Sequence, residues 1–167
     1  MAERSPFRIV IVGGGIAGLT AAIALRGPDR QITVLEQSRL NKEIGALISL
    51  QPNASKIVYD TWKLGEELED ARSMVDEGFR VYSTEGKLVT EVPLTTKIEY
   101  GASRIIYHRM DLHDALRKAA QKTSTIRVAS RVVDCDPLNG IVYLENGEKI
   151  EGDVIIGADG MYDNVLW

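Results

Sequence analysis

The N-terminal part of the chain alternates between continuous apolar runs and short glycine-rich or polar interruptions. Phe7–Val12 (FRIVIV) is a run of β-branched apolar residues that ends in a glycine cluster, as a buried strand does. Ile16–Arg26 carries small and aliphatic residues on every face and stops at Gly27-Pro28, which predicts a helix packed closely on a sheet. Gln31–Leu35 (QITVL) is a second buried strand. This order predicts a βαβ unit and a parallel sheet with a right-handed connection.

Two further helices are predicted from apolar residues at helical spacing. Pro52-Asn53 opens the first, with Asn53 as its N-cap, and the apolar positions continue to Leu68. Asp111 is the predicted cap of the second helix. One face of that helix carries Leu112, Ala115, Leu116 and Ala119.

The other segments predict short strands separated by turns. Gly78–Ser83 and Lys87–Pro93 flank a Thr-Glu-Gly turn and predict a β-hairpin. Asp153–Gly157 (DVIIG) predicts another buried strand, which runs into Ala158-Asp159-Gly160. Short antiparallel strands are predicted at Ile126–Asp134, Ile141–Leu144 and Glu148–Glu151. The predicted fold class is α/β, a Rossmann-like βαβ parallel sheet with an added small antiparallel β portion.

The segment between the first strand and the first helix fits G-x-G-x-x-G. Gly13 permits the tight turn, Gly15 removes a side chain where a pyrophosphate must approach, and Gly18 lets helix and strand pack closely. The helix N-terminus at Ile16 and Ala17 presents N–H groups and the positive end of the helix dipole to phosphates. The pattern alone is weak, but its place after a buried strand and before a helix predicts a dinucleotide site.

An acidic residue follows at the position that such a site requires. Glu36 ends the second strand, eighteen residues after Gly18, and can accept hydrogen bonds from adenosine ribose hydroxyls; Gln37 follows it in the same predicted site. A carboxylate there repels a 2′-phosphate, so NADP is disfavoured in this site. The structural alternatives are a plain strand–helix turn and a solvated acid at a strand end. FAD and NAD both bind through such turns, so the turn leaves both open.

Composition narrows the class of protein. The 167 residues suffice for one domain, and 44% hydrophobic with 26% charged residues is ordinary for a globular chain. An excess of four acids and scattered basic residues predict no nucleic-acid partner. Cys135 is the only cysteine, which fits a reducing compartment and predicts a cytoplasmic protein. It lies between Asp134 and Asp136, so we expect a small, partly buried strand residue and not a reactive thiol.

Two other patterns predict absences. The uncharged stretch Ile9–Leu25 is shorter than a membrane span needs and is interrupted by glycines, so we predict no transmembrane segment. His108 and His113 are five residues apart, a poor spacing for two ligands on one helix face, and no carboxylate or cysteine cluster surrounds them. We therefore predict no metal site.

Four further motifs accompany the glycine turn, in this order: Glu43-Ile44-Gly45-Ala46, Gln51-Pro52-Asn53-Ala54, Tyr107-His108-Arg109-Met110-Asp111-Leu112 and the segment from Gly152 to Gly160. With them the chain resembles the N-terminal part of the FAD-dependent aromatic hydroxylases, the salicylate and para-hydroxybenzoate hydroxylase type of flavoprotein monooxygenase. The resemblance covers essentially the whole chain.

The resemblance implies FAD-binding roles beyond the glycine turn. Arg109, at the start of a helix, would reach the pyrophosphate and ribityl region, which suits a guanidinium fork. Asp159 and Gly160 match an Asp-Gly motif that contacts both FAD and the NAD(P)H approach. The implied placements of the others are Glu36 on the ribose, Gly45 and Ala46 beside the flavin, and Val132 near the adenine. A surface arginine and a local turn cap are the structural alternatives for Arg109 and Asp159.

The resemblance also implies an activity. In the intact family, NAD(P)H reduces FAD, and the reduced flavin uses oxygen to hydroxylate or epoxidise a small organic substrate. No catalytic side chain is assigned within these residues. The chain departs from the family pattern at Leu47, where a glycine is usual, and at Asp163 and Leu166, where serine and arginine are usual.

The family's later Gly-Asp motif and most of its substrate-binding sheet are not among these 167 residues. We therefore expect residues 1–167 to be a FAD-binding domain that is incomplete for full catalysis. A shortened pocket would expose apolar surface, which predicts self-association or a partner chain. The alternatives are a non-catalytic FAD-binding or interaction module and an NAD-dependent oxidoreductase.

Overall fold

The computed structural model describes residues 5–39 and 46–160. The helices and strands in chain order are β1 Phe7–Val12, α1 Ile16–Ala24, β2 Arg30–Leu35, β3 Leu47–Leu50, α2 Pro52–Lys56, a π-helical segment Ile57–Thr61, α3 Gly65–Leu68, β4 Ser73–Val75, β5 Gly78–Tyr82, β6 Leu88–Pro93, α4 Thr96–Tyr100, β7 Ile105–His108, α5 Arg109–Gln121, β8 Thr125–Arg127, β9 Val132–Asp136, β10 Ile141–Leu144, β11 Lys149–Glu151 and β12 Val154–Gly157. The described residues form two compact units, 5–39 with 113–160 and 46–112.

A four-stranded sheet of order β12-β1-β2-β8 organises the first unit, and its neighbouring strands are all parallel. Strand β1 lies inside this sheet, which explains its continuous apolar sequence, and Ile11 is fully buried. The predicted α/β class and βαβ unit are confirmed. A core cluster joins the parallel sheet to the antiparallel sheet β11-β10-β9 through Val10, Val12, Leu35, Val132, Val142 and Leu144.

The prediction of one antiparallel strand over Ile126–Asp134 is wrong, because this segment contributes to two sheets. Strand β8 pairs in parallel with β2, and only β9 joins the antiparallel sheet. Between them Ala129 has a φ of 51°, and the N–H groups of Ala129 and Ser130 donate to the carbonyls of Ser38 and Glu36. These bonds draw the chain along the end of β2, so it leaves one sheet before entering the other.

In the second unit, β3-β7-β4 form an antiparallel sheet and β5-β6 form the predicted hairpin. The continuous helix predicted to Leu68 is wrong, since α2 passes into a π-helical segment in which the Trp62 N–H donates to the Ile57 carbonyl, and α3 is separate. The N-cap is Gln51 and not Asn53, because Pro52 takes the first helical position, where a missing N–H costs nothing.

Asp111 is not a helix cap either. Strand β7 runs directly into α5, which begins at Arg109, so Asp111 lies within the first turn. The apolar face predicted for this helix is confirmed, since Leu112, Ala115, Leu116 and Ala119 are all buried. No helix of the described ranges is both long and apolar enough to cross a membrane.

Candidate dinucleotide-binding site

The predicted site residues of the first unit gather at one edge of the parallel sheet. Strand β1 leads through α1 to β2 on one side, whereas β12 pairs with β1 on the other side. The strand order therefore reverses direction at the carboxyl ends of β1 and β12. Open α/β sheets bind ligands in the crevice at such a position.

The glycine turn and the Ala-Asp-Gly segment meet in this crevice. Gly13 has a φ of +107°, and a Cβ on it would lie 2.3 Å from the Ala158 carbonyl oxygen. The Ala158 N–H donates to the Val12 carbonyl at 2.7 Å, so backbone packs directly on backbone here. A Cβ on Gly18 would lie 1.9 Å from the Gly13 carbonyl oxygen. Neither glycine can be replaced by a larger residue without displacing backbone, because Gly13 packs on Ala158 and Gly18 packs on Gly13.

Gly15 differs from these two glycines. It is the N-cap of α1 in an extended conformation, and a Cβ on it would meet no atom within 4 Å. No side chain caps this helix end, and Ile16 and Ala17, which follow, are half-buried and exposed. The turn thus leaves open space beside the positive end of α1, which is the arrangement that a phosphate group needs.

Glu36 binds the glycine turn itself. Its Oε2 accepts a hydrogen bond from the Gly14 N–H at 2.7 Å, and its Oε1 accepts one from the Ser38 N–H at 2.7 Å. Each carboxylate oxygen has a second lone pair, so both can still accept a ribose hydroxyl. Gln37 is exposed beside it. The carboxylate fixes the turn and presents acceptors at the same edge.

Asp159 and Gly160 continue from β12 at this edge. Asp159 is half-buried, and Gly160 is exposed with a φ of +95°. Val132 is the first residue of β9, and its side chain is 5% exposed within the core cluster. The structure therefore brings together eight of the predicted residues: Gly13, Gly15, Ile16, Ala17, Gly18, Glu36, Asp159 and Gly160.

Two of the predicted residues, Ala46 and Arg109, belong to the second unit. The Arg109 N–H donates to the Ala46 carbonyl at 2.9 Å, so these two backbones are adjacent, and Arg109 is exposed at the start of α5. Leu47 is 71% exposed. Gly45, Asp163 and Leu166 lie outside the described residues.

The sequence of this chain is similar to known proteins. The family profile of the pyridine nucleotide-disulphide oxidoreductases matches residues 7–166. The chain belongs to this family.

Within the pyridine nucleotide-disulphide oxidoreductases, the individual relatives of this chain include FAD-dependent monooxygenases and hydroxylases. The FAD-dependent monooxygenase cfoG of Aspergillus candidus is 36% identical over 95% of this chain and 38% of its own length. The 3-hydroxybenzoate 6-hydroxylase 1 of Aquipseudomonas alcaligenes is 34% identical over 94% of this chain and 41% of its own length. The chain therefore spans about two fifths of the length of these relatives.

Solved structures of similar fold are also oxygenases. A mutant of 2-methyl-3-hydroxypyridine-5-carboxylic acid oxygenase superposes with a TM-score of 0.80 at 31% identity, covering 97% of this chain and 42% of that protein. The same oxygenase has been solved in a tetrameric form. The resemblance to the FAD-dependent aromatic hydroxylases is thus confirmed, and the chain is a FAD-binding domain of the monooxygenase type.

Cys135 is the only cysteine among the 167 residues, so no disulfide can form within them. Burial, with Asp134 and Asp136 on either side, raises the pKa of the Cys135 thiol and keeps it protonated. The prediction of a half-buried strand cysteine is confirmed. Across residues 5–39 and 46–160, no three histidine, cysteine or acidic side chains converge as metal ligands would.

Sequence reasoning missed one residue that contacts the glycine turn of the candidate dinucleotide site. His113 is 4% exposed on α5, and its Nε2 lies 2.8 Å from the Gly14 carbonyl oxygen. The available signal was a lone polar residue beside Leu112 on the buried side of a helix. Such a residue needs a buried partner.

Two polar pairs of the second unit were also missed. Asp111 accepts hydrogen bonds from the Arg72 guanidinium at 2.6 and 3.1 Å, and this contact lowers the pKa of the Asp111 carboxyl. The Tyr59 and Tyr107 hydroxyls share a hydrogen bond, and burial raises the pKa of Tyr107. Both pairs join residues far apart in sequence, so no local spacing marks them.

Proposed function

We propose that this domain binds FAD and serves a flavin-dependent monooxygenase that takes electrons from NAD(P)H and hydroxylates or epoxidises a small organic substrate. The relatives named as FAD-dependent monooxygenases and hydroxybenzoate hydroxylases support the reaction class. In the bound state FAD supplies the redox chemistry, accepting electrons and passing them to oxygen. The residues of this chain bind and orient it.

The open space at Gly15 is the observation that carries the proposal. It lies in a crevice at a strand-order reversal, beside a helix N-terminus without a side-chain cap, and adjacent to the Glu36 carboxylate through Gly14. Each feature suits one part of a dinucleotide: amides for the pyrophosphate and a carboxylate for the ribose. The residues present therefore fit the cofactor.

The proposed contacts follow the cofactor from end to end. The glycine turn and the start of α1 bind the pyrophosphate, and Glu36 with Gln37 holds the ribose. The adenine is proposed to lie near Val132 and to contact its main-chain atoms, because the Val132 side chain is buried in the core. Arg109 is proposed to bind the pyrophosphate and ribityl region, Gly45 and Ala46 to border the flavin, and Asp159 and Gly160 to contact FAD on the side where NAD(P)H approaches.

A binding comparison tests the proposal. The purified chain is titrated with FAD, FMN, NAD and NADP, with absorbance and flavin fluorescence read for the flavins and calorimetry for all four. FAD should bind, FMN should bind much more weakly because it lacks the adenosine half, and NADP should be rejected by Glu36. Equal binding of FMN and FAD, or no uptake of FAD, would contradict the proposal. Preference for NAD over FAD would favour an NAD-dependent oxidoreductase instead.

Oxygen-dependent oxidation of NAD(P)H separates a complete enzyme from a binding module. We expect little turnover by these 167 residues, because the relatives carry more than half of their length outside the matched part. Robust substrate-coupled turnover by this chain would overturn that expectation.

We also propose that the second unit is covered by another copy or by a partner chain. Large apolar side chains stand exposed on its strands, among them Met74 at 61% and Val89 at 65%. For the cellular setting we propose the cytoplasm, on the evidence of the single cysteine.

A further inference from the structure

We infer that His113 is a positioning residue for the pyrophosphate of the cofactor, acting through the peptide group between Gly14 and Gly15. This inference rests on the proposed function, since it names how the proposed FAD site is held in shape. His113 does not contact the cofactor in this scheme. It acts on the backbone that does.

The Gly14 residue is held from two sides. Its N–H donates to Glu36 Oε2 at 2.7 Å, and its carbonyl oxygen lies 2.8 Å from His113 Nε2. Gly14 itself is buried, and a Cβ on it would lie 2.8 Å from the Glu36 Cβ. The middle of the glycine turn is therefore anchored to β2 through one side chain and to α5 through another.

The direction of the His113 hydrogen bond follows from chemistry. A backbone carbonyl only accepts, so Nε2 of His113 carries the proton and donates it. The imidazole is 4% exposed, so water does not compete for that bond. The bond fixes where the Gly14 carbonyl points.

Fixing that carbonyl also fixes the next amide. The described residues contain no cis peptide bond, and in a planar trans peptide the Gly15 N–H points opposite to the Gly14 carbonyl. The Gly15 N–H thus points away from His113. It belongs to the residue at which a Cβ would meet no atom within 4 Å. Without His113 this peptide, flanked by glycines, would rotate easily, and the amide would lose its orientation.

Two amide side chains provide a matched test. Glutamine places its side-chain N–H₂ near the position of the histidine Nε2, whereas asparagine is one methylene shorter and does not reach it. His113→Gln should retain the contact, and His113→Asn and His113→Ala should lose it. Ser124→Ala is the control, because it removes another side-chain bond to a backbone carbonyl, the 2.7 Å bond to Ala120, at the far end of α5.

Each variant is titrated calorimetrically with adenosine, ADP and FAD, and the Gly14 and Gly15 amide resonances are followed by NMR without ligand. The Asn and Ala variants should bind ADP and FAD about tenfold more weakly, the effect of one lost hydrogen bond. Their affinity for adenosine, which has no phosphate, should change less than about twofold on the same argument. The Gln and Ser124→Ala variants should match the wild type, and the amide resonances should shift only in the Asn and Ala variants.

The outcomes are distinct. Equal affinity of the Gln and Asn variants for ADP would overturn the inference and leave the proposed function standing, as would an equal loss for adenosine and ADP, which indicates a general structural role. A wild-type chain that binds neither ADP nor FAD would overturn the proposed function and this inference together.

Discussion

The parallel sheet of the first unit and the β5–β6 hairpin of the second have similar apolar content but place it differently. In β1, residues Ile9 to Val12 are all less than 5% exposed, and the strand ends in the glycine turn. In the hairpin, Phe79 is 52% exposed and Val81 is 42% exposed on the same face. The first unit thus buries its own core and builds a candidate site from its own backbone, whereas the hairpin leaves an apolar face exposed.

The largest effect should come from filling the closed glycine of the first unit. Gly18→Ala places a methyl group 1.9 Å from the Gly13 carbonyl oxygen, so α1 must move away from the turn. We expect the free energy of unfolding to fall by about 3 kcal/mol. Urea denaturation measures the change. Gly65→Ala is the control, since a Cβ there meets nothing within 4 Å, and an equal loss of stability in both variants would refute this argument.

Gly15→Ala should separate binding from folding. The position is extended and open, so the only loss of stability expected is that of alanine replacing glycine at an N-cap, about 1 kcal/mol in the free energy of unfolding. The added methyl group occupies the space proposed for the pyrophosphate, and FAD binding should weaken by about 2 kcal/mol. Calorimetric titration alongside urea denaturation measures both. Unchanged FAD affinity would show that the phosphates do not approach here.

Arg109 tests whether the second unit takes part in cofactor binding. Arg109→Ala should weaken FAD binding by about 1–3 kcal/mol if the guanidinium makes a charged hydrogen bond to phosphate. Arg109→Lys should recover only part, because an ammonium lacks the planar fork. The control is Arg117→Ala, which removes a guanidinium bonded to Asp114 on the same helix. If both alanine variants bind FAD as the wild type does, Arg109 is a surface residue.

The smallest effect on stability should come from the hairpin. Phe79→Lys with Val81→Lys places charges on its exposed apolar face and should change the free energy of unfolding by less than about 0.5 kcal/mol. Self-association, measured by sedimentation velocity over a concentration series, should decrease. Thr84→Lys with Glu85→Gln adds the same net charge at the hairpin tip and should leave association unchanged. Identical association of wild type and both variants would contradict the proposed covered surface.

The difference between the units also explains what could be predicted from sequence. Strand β1 and its glycine turn can be predicted from local sequence, because the apolar run, the glycines and the helix are consecutive along the chain. Strand β4 has only three residues, all exposed, and takes its shape from pairing with β7 some thirty residues later, so no local pattern marks it. His113 differs, because a polar residue on the buried side of α5 is a local signal, but its partner Gly14 lies 99 residues away and could not be identified from the sequence.

The pairing of β1 with β12 has a consequence for synthesis. The wall of the crevice at Gly13 is the backbone of Ala158 and Asp159, and the Arg8 side chain pairs with Asp153 at 3.1 Å. During translation the glycine turn therefore emerges from the ribosome long before the strand that completes its crevice. Such long-range pairing forms slowly. The crevice proposed for FAD is therefore complete only once β12 has been made and has paired with β1.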